Sequence, residues 1–179
     1  MVPAQHTAIE AAIKAGGLVR YQVSLEQGEF DQRMLWVRPE IAQMLNSLKI
    51  DPDQLARVSA TLKRFVVGGP FNVVTAACTN REVSALGDIR ELKGEKPPLI
   101  EMRFKPPKHH LRIFGRFICA DSLVMTTYGM KSLDGKTGAK PLSIPQERDR
   151  CDAVFKSLKL DLSLIPARIE SCLSNSTFF

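Results

Sequence analysis

Arg103 and Arg112 sit in two short segments of alternating character, LIEMRF (99–104) and HLRIFGRFIC (110–119). In a strand, successive side chains point to opposite faces. Ile100, Met102 and Phe104 therefore share one face of the first segment, and Glu101 and Arg103 the other. In the second, Leu111 and Ile113 oppose Arg112 and Phe114. Both arginines thus leave the apolar face and can meet across a sheet, as an anion site requires. The competing reading is an ordinary surface ion pair with Glu101 or Asp121, worth roughly 0–1 kcal/mol.

The rest of the ionic composition points the same way. The chain has 25 Lys and Arg against 19 Asp and Glu, a formal net charge of +6 and a pI near 9.3. The excess falls between Lys96 and Lys140, and the remainder is neutral. A neutral scaffold with one cationic stretch suits an anionic partner, of which nucleic acid is the commonest because phosphate contacts release counterions. His109 and His110 titrate nearest neutrality, but neighbours on a strand face opposite ways, and Pro106-Pro107-Lys108 before them predicts a solvent-exposed turn. Trp36 reads as a core anchor and Tyr128, beside Gly129, as a more exposed strand-end aromatic. Cys78, Cys119, Cys151 and Cys172 lack zinc-knuckle or Cys-x-x-Cys spacing, so they read as reduced thiols with no metal. Neither a phosphate loop nor a cofactor motif is written.

These residues must be carried by ordinary elements. Pro3 to Ala15 predicts a helix ended by Gly16-Gly17, and Leu18 to Leu25 a half-buried strand. Met34 to Val37 follows as a strand. Pro39 to Leu48, then a helix opened by Asp51-Pro52 and closed by Gly68-Gly69, predict a helical hairpin with Leu55, Val58, Leu62, Phe65 and Val66 inward. Pro70 to Thr79 is a short strand or covering loop, Asn80 to Lys93 a helix or turn, and Leu99 to Tyr128 an antiparallel three-strand meander. Leu133 to Lys140 is a loop. Ser143 and Gln146 cap a helix running to Lys159, and Pro166 to Leu173 predicts a last helix before a frayed tail. No signal peptide or membrane-length apolar run is present, so the expected compartment is the cytoplasm.

With MLWVRPEIAQMLNSL, IRELKG, LIEMRF, HHLRIFG and SLVMTTYGMKS in this order, the chain resembles the RelE/HigB toxin superfamily, in its phage-derived HigB-like branch. The resemblance implies an α+β fold, a small antiparallel sheet packed on a helical hairpin, across residues 33–160. Residues 1–32 would then be an N-terminal extension with an extra helix and strand, and 161–179 a C-terminal helix and tail. It also implies a metal-independent endoribonuclease that cleaves mRNA, on the ribosome, through 2′-hydroxyl attack. The cleaving group would be Arg103, Arg112, Tyr128 and Lys131 on one sheet face: the arginines on the phosphate, Tyr128 stacking or aiding proton transfer, Lys131 a second phosphate contact or a base. Lys93, His110, Arg116 and Lys136 are expected RNA contacts, and a helix-turn-helix antitoxin the expected protein partner. A gyrase-binding toxin and a non-catalytic phage accessory protein are the alternatives on the same scaffold.

Overall fold

The computed structural model describes residues 3–47, 52–79, 88–94, 97–104, 109–132 and 143–179. Their centre is one mixed sheet of eight strands: β1 (Val19–Arg20), β2 (Met34–Val37), β3 (Asn72–Val74), β4 (Ile89–Glu91), β5 (Ile100–Phe104), β6 (His109–Cys119), β7 (Ser122–Ser132) and β8 (Thr177–Phe178). The spatial order is β1-β2-β7-β6-β5-β4-β3-β8. The β4–β5–β6–β7 pairs are antiparallel, whereas β2–β7, β3–β4 and β3–β8 are parallel.

Helices lie on both faces. On one, α2 (Pro39–Asn46) and α3 (Pro52–Val66) bury Ile41, Leu45, Leu62 and Phe65 against Ile100, Met102, Leu111, Ile113 and Leu123. The sequence explains this side, because Val58, Leu62, Phe65 and Val66 recur at helical spacing on an otherwise polar α3. On the other, α1 (Pro3–Lys14) and α4 (Ile144–Ser157) bring Ile9, Ala12, Cys151 and Phe155 onto Leu99, Ile118 and Val124, with Trp36 packed at the margin.

This architecture overturns the expected small antiparallel sheet on a helical hairpin. The meander and the two helices are present, but they form part of a larger mixed sheet covered from both sides. The additional strands span only two or three residues each, too few to display a period of two, and parallel pairing joins segments distant in the chain. Specific expectations change accordingly. Only Val19–Arg20 of Leu18 to Leu25 is strand, and Ile89–Glu91 is strand where a helix or turn was expected, residues 80–87 lying outside the described set. The expected helix at Pro166 to Leu173 is a single 3-10 turn, Ile169–Ser171, and the tail is β8, an edge strand beside β3. The histidines begin β6 rather than occupying a turn. The loop at Leu133 to Lys140 lies outside the described residues.

A buried arginine ties the distant ends together. Arg33, 1% exposed, donates from Nε to Asp121 Oδ1 at 2.9 Å, from Nη1 to the Gly69 carbonyl at 2.7 Å, and from Nη2 to the Ser174 carbonyl. Asp121 Oδ1 also accepts the Ser174 N–H at 3.0 Å. One guanidinium thus joins the start of β2, the end of α3, the β6–β7 turn and the C-terminal segment.

The β6–β7 ladder contains a one-residue bulge. Phe114 pairs with Thr127, but Gly115 pairs with Met125, so Thr126 is the extra residue. Gly115 permits the close approach: a Cβ there would lie 2.1 Å from the Val124 carbonyl oxygen and 2.9 Å from the Met125 Cα. Gly115→Ala must displace backbone, so a loss of about 1–3 kcal/mol in urea-unfolding free energy is expected, and unchanged stability would refute the bulge as drawn.

Candidate anion-binding cleft

The arginine pair that alternation predicts does form. Arg103 on β5 is the register partner of Arg112 on β6, on the sheet face away from α2 and α3. Glu101 shares that face, opposite Arg90 on β4 and Phe114 on β6. It is 1% exposed, and Arg112 Nη1 lies 2.5 Å from its Oε1. The two groups form a buried ion pair. Asp121, the other acid considered, is committed to Arg33.

The first turn of α4 faces this part of the sheet. Ser143 caps it, its hydroxyl accepting the Gln146 N–H, as the Ser-x-x-Gln pattern predicts. Between helix and sheet opens a cleft of about 430 Å³ lined by Arg90, Lys93, Arg112 and Arg148, with Glu91 and Glu101 as its carboxylates. Glu91 is engaged by the Ala76 N–H at 2.8 Å. Arg103 feels the same crowding. Burial pushes its pKa down, and the like charges of Arg90 and Arg112 add to that against the opposing pull of Glu101 and Asp88. Such a concentration of cations is relieved by a bound anion.

The expected residues distribute unevenly. Lys93 and Arg112 line the cleft, with Arg103 beside Arg112 on the same face. Tyr128 does not join them. The extra residue at Thr126 reverses the alternation of β7, so Tyr128 pairs with Ile113 and packs against the α2–α3 core. It borders a separate hollow of about 330 Å³ with Arg38, Ile41 and Val154. Arg116 is 1% exposed, bonded to the Pro97 carbonyl and to Asp152 Oδ1 at 2.6 Å, with its guanidinium 6.0 Å from the centre of the Phe155 ring. It clamps β6 to α4 and presents no surface to RNA. His110 and Lys131 are register partners on β6 and β7, while Lys136 lies outside the described residues.

Comparison with protein-family models, curated proteins and solved structures finds no match to this chain. No helix among the described residues is long and apolar enough to cross a membrane.

Arg90, Arg148 and the placement of Glu101 were not legible as site features. Arg90 lies on a three-residue strand and Arg148 on the exposed side of a helix, and both fall outside the basic stretch from Lys96 to Lys140. The one available signal was the cross-strand opposition of Arg90 and Glu101, which needs the β4–β5 register. The clamp role of Arg116 has its own test. Arg116→Met is expected to lower unfolding free energy by about 1–3 kcal/mol while leaving anion affinity within twofold, and Arg90→Ala is expected to do the reverse, as paired denaturation and anion-titration curves would show.

Proposed function

We propose that the protein binds the sugar–phosphate backbone of single-stranded RNA in the cleft between β4–β6 and α4. The supporting observation is that Arg90 and Lys93, Arg112, and Arg148 converge from three separate segments of the chain on one concavity. Its carboxylates are already engaged, Glu91 by a backbone N–H and Glu101 by Arg112. Arg90 and Arg112 offer planar donors suited to phosphate oxygens, and Lys93 and Arg148 add charge at the rim. At about 430 Å³ the cleft falls in the range of roughly 300–1,000 Å³ typical of ligand sites. RNA is the polymer favoured because Glu101 of LIEMRF and Arg112 of HHLRIFG, two of the segments behind the toxin resemblance, line the cleft.

Strand cleavage is the second reading, favoured by the guanidinium groups gathered where a phosphate would sit. In attack by a 2′-hydroxyl, the oxygen gives its proton to water and bonds to phosphorus, negative charge grows on the non-bridging oxygens, and the P–O5′ bond breaks as the leaving 5′-oxygen takes a proton from water. Arg90 and Arg112 would offset that charge. Tyr128 has no part in this reading because it lies across the sheet.

Binding is tested by fluorescence anisotropy of a labelled single-stranded RNA over a salt series. Affinity should fall steeply with salt, by roughly 0.7 logarithmic units per decade for each phosphate contact. Arg90→Ala should weaken binding about tenfold and reduce the slope by about one contact. Products with 2′,3′-cyclic phosphate ends, formed in chelator, would support cleavage, while intact RNA would leave binding alone. Salt-independent or absent binding would end both readings and favour a protein-directed role.

A further inference from the structure

A site for phosphate alone leaves part of the cleft unexplained. A tetrahedral anion occupies only a fraction of about 430 Å³, and a cavity shaped for it would be walled by donors. Here the cations share the cavity with apolar side chains. Ala76 and Leu92 follow the ends of β3 and β4, and Ile144 and Pro145 open α4, so apolar groups line the cleft from both the sheet and the helix. They are reachable: Ala76, Leu92 and Ile144 are half-buried and Pro145 is exposed. Arg148 stands about one helical turn beyond Ile144, on the same face of α4, and lines the same cleft. Its side chain is 43% exposed, with Nε 3.4 Å from Asp149 Oδ1. Hydrogen bonds from a guanidinium run in its plane, whereas a flat ring stacks on the face of that plane, so the two contacts do not compete.

We infer that the cleft holds one base together with its phosphate, the base packing on Ile144, Pro145 and Arg148 while Arg90 and Arg112 hold the phosphate. This rests on the RNA-binding reading and deepens it, naming a nucleotide rather than the backbone alone as the unit recognised. A base moved out of water onto Ile144 and Pro145 gains a hydrophobic contribution that a bare phosphate cannot. The Arg148 plane adds a stacking contact. Every base has a flat face, so the subsite favours nucleotides over sugar phosphates without reading sequence.

The experiment displaces a labelled single-stranded RNA with adenosine 5′-monophosphate or ribose 5-phosphate, followed by anisotropy in a single buffer. Both competitors carry the same phosphate monoester and differ by the base. The nucleotide should compete about tenfold better than the sugar phosphate. Pro145→Ser removes apolar wall, and Arg148→Lys keeps the charge but loses the plane, so each should cut that advantage to about threefold. Arg90→Ala should weaken both competitors alike and keep their ratio. The same comparison within the polymer guards against weak monomer binding: RNA with abasic sites through its central stretch should bind about tenfold less tightly than the intact strand. Equal binding of intact and abasic RNA, or a nucleotide advantage undiminished in both Pro145→Ser and Arg148→Lys, overturns the inference while leaving phosphate binding intact. If the intact RNA does not bind at all, the reading beneath it falls as well.

Discussion

The antiparallel register of β5 against β6 brings two arginines face to face, and much of the molecule answers to that opposition. Unit charges held roughly 5 Å apart repel by about 3 kcal/mol at the effective dielectric of a protein surface. Arg103 and Arg112 stand opposite each other with Arg90 in the same electrostatic neighbourhood. Glu101 supplies the main counter-charge. It is tolerated in the interior because Arg112 touches it, and it would be costly there without that contact.

Arginine serves two unlike ends in this fold. Arg33 and Arg116 are buried, and each draws donors and acceptors from separate segments into one guanidinium. Arg33 closes the sheet by holding the C-terminal segment that supplies β8, and Arg116 locks β6 under α4, whose first turn forms one wall of the cleft. Arg90 and Arg112 remain accessible from that cleft. In both uses the fork of donors is what matters. The difference lies in whether protein groups or a ligand meet it.

A single extra residue separates the expected cluster from the observed one. Counted by strict alternation from Leu123, Tyr128 falls on the face of Arg112. The bulge at Thr126 turns it to the face of Ile113, where an aromatic ring is useful as packing. Gly115 is the trace of this event in the chain, since a side chain there would strike the opposing strand, but a lone glycine in a strand pattern does not say which neighbouring strand carries the bulge.

Periodicity in the chain was enough to establish the amphipathic α3, the capped α4, the β5–β7 meander and the Arg103–Arg112 opposition, because each depends on residues close in sequence or on a period that needs no partner. The parallel pairings, the edge strand made by the tail and the cleft required the folded chain. Its cations come from Arg90, Lys93, Arg112 and Arg148, of which Arg112 alone belongs to the basic stretch that composition singles out. Charge along a sequence is a sum over neighbours in one dimension. An anion site is a convergence in three, and register, bulge and helix placement settle which cations converge and which, like Arg116, are spent inside.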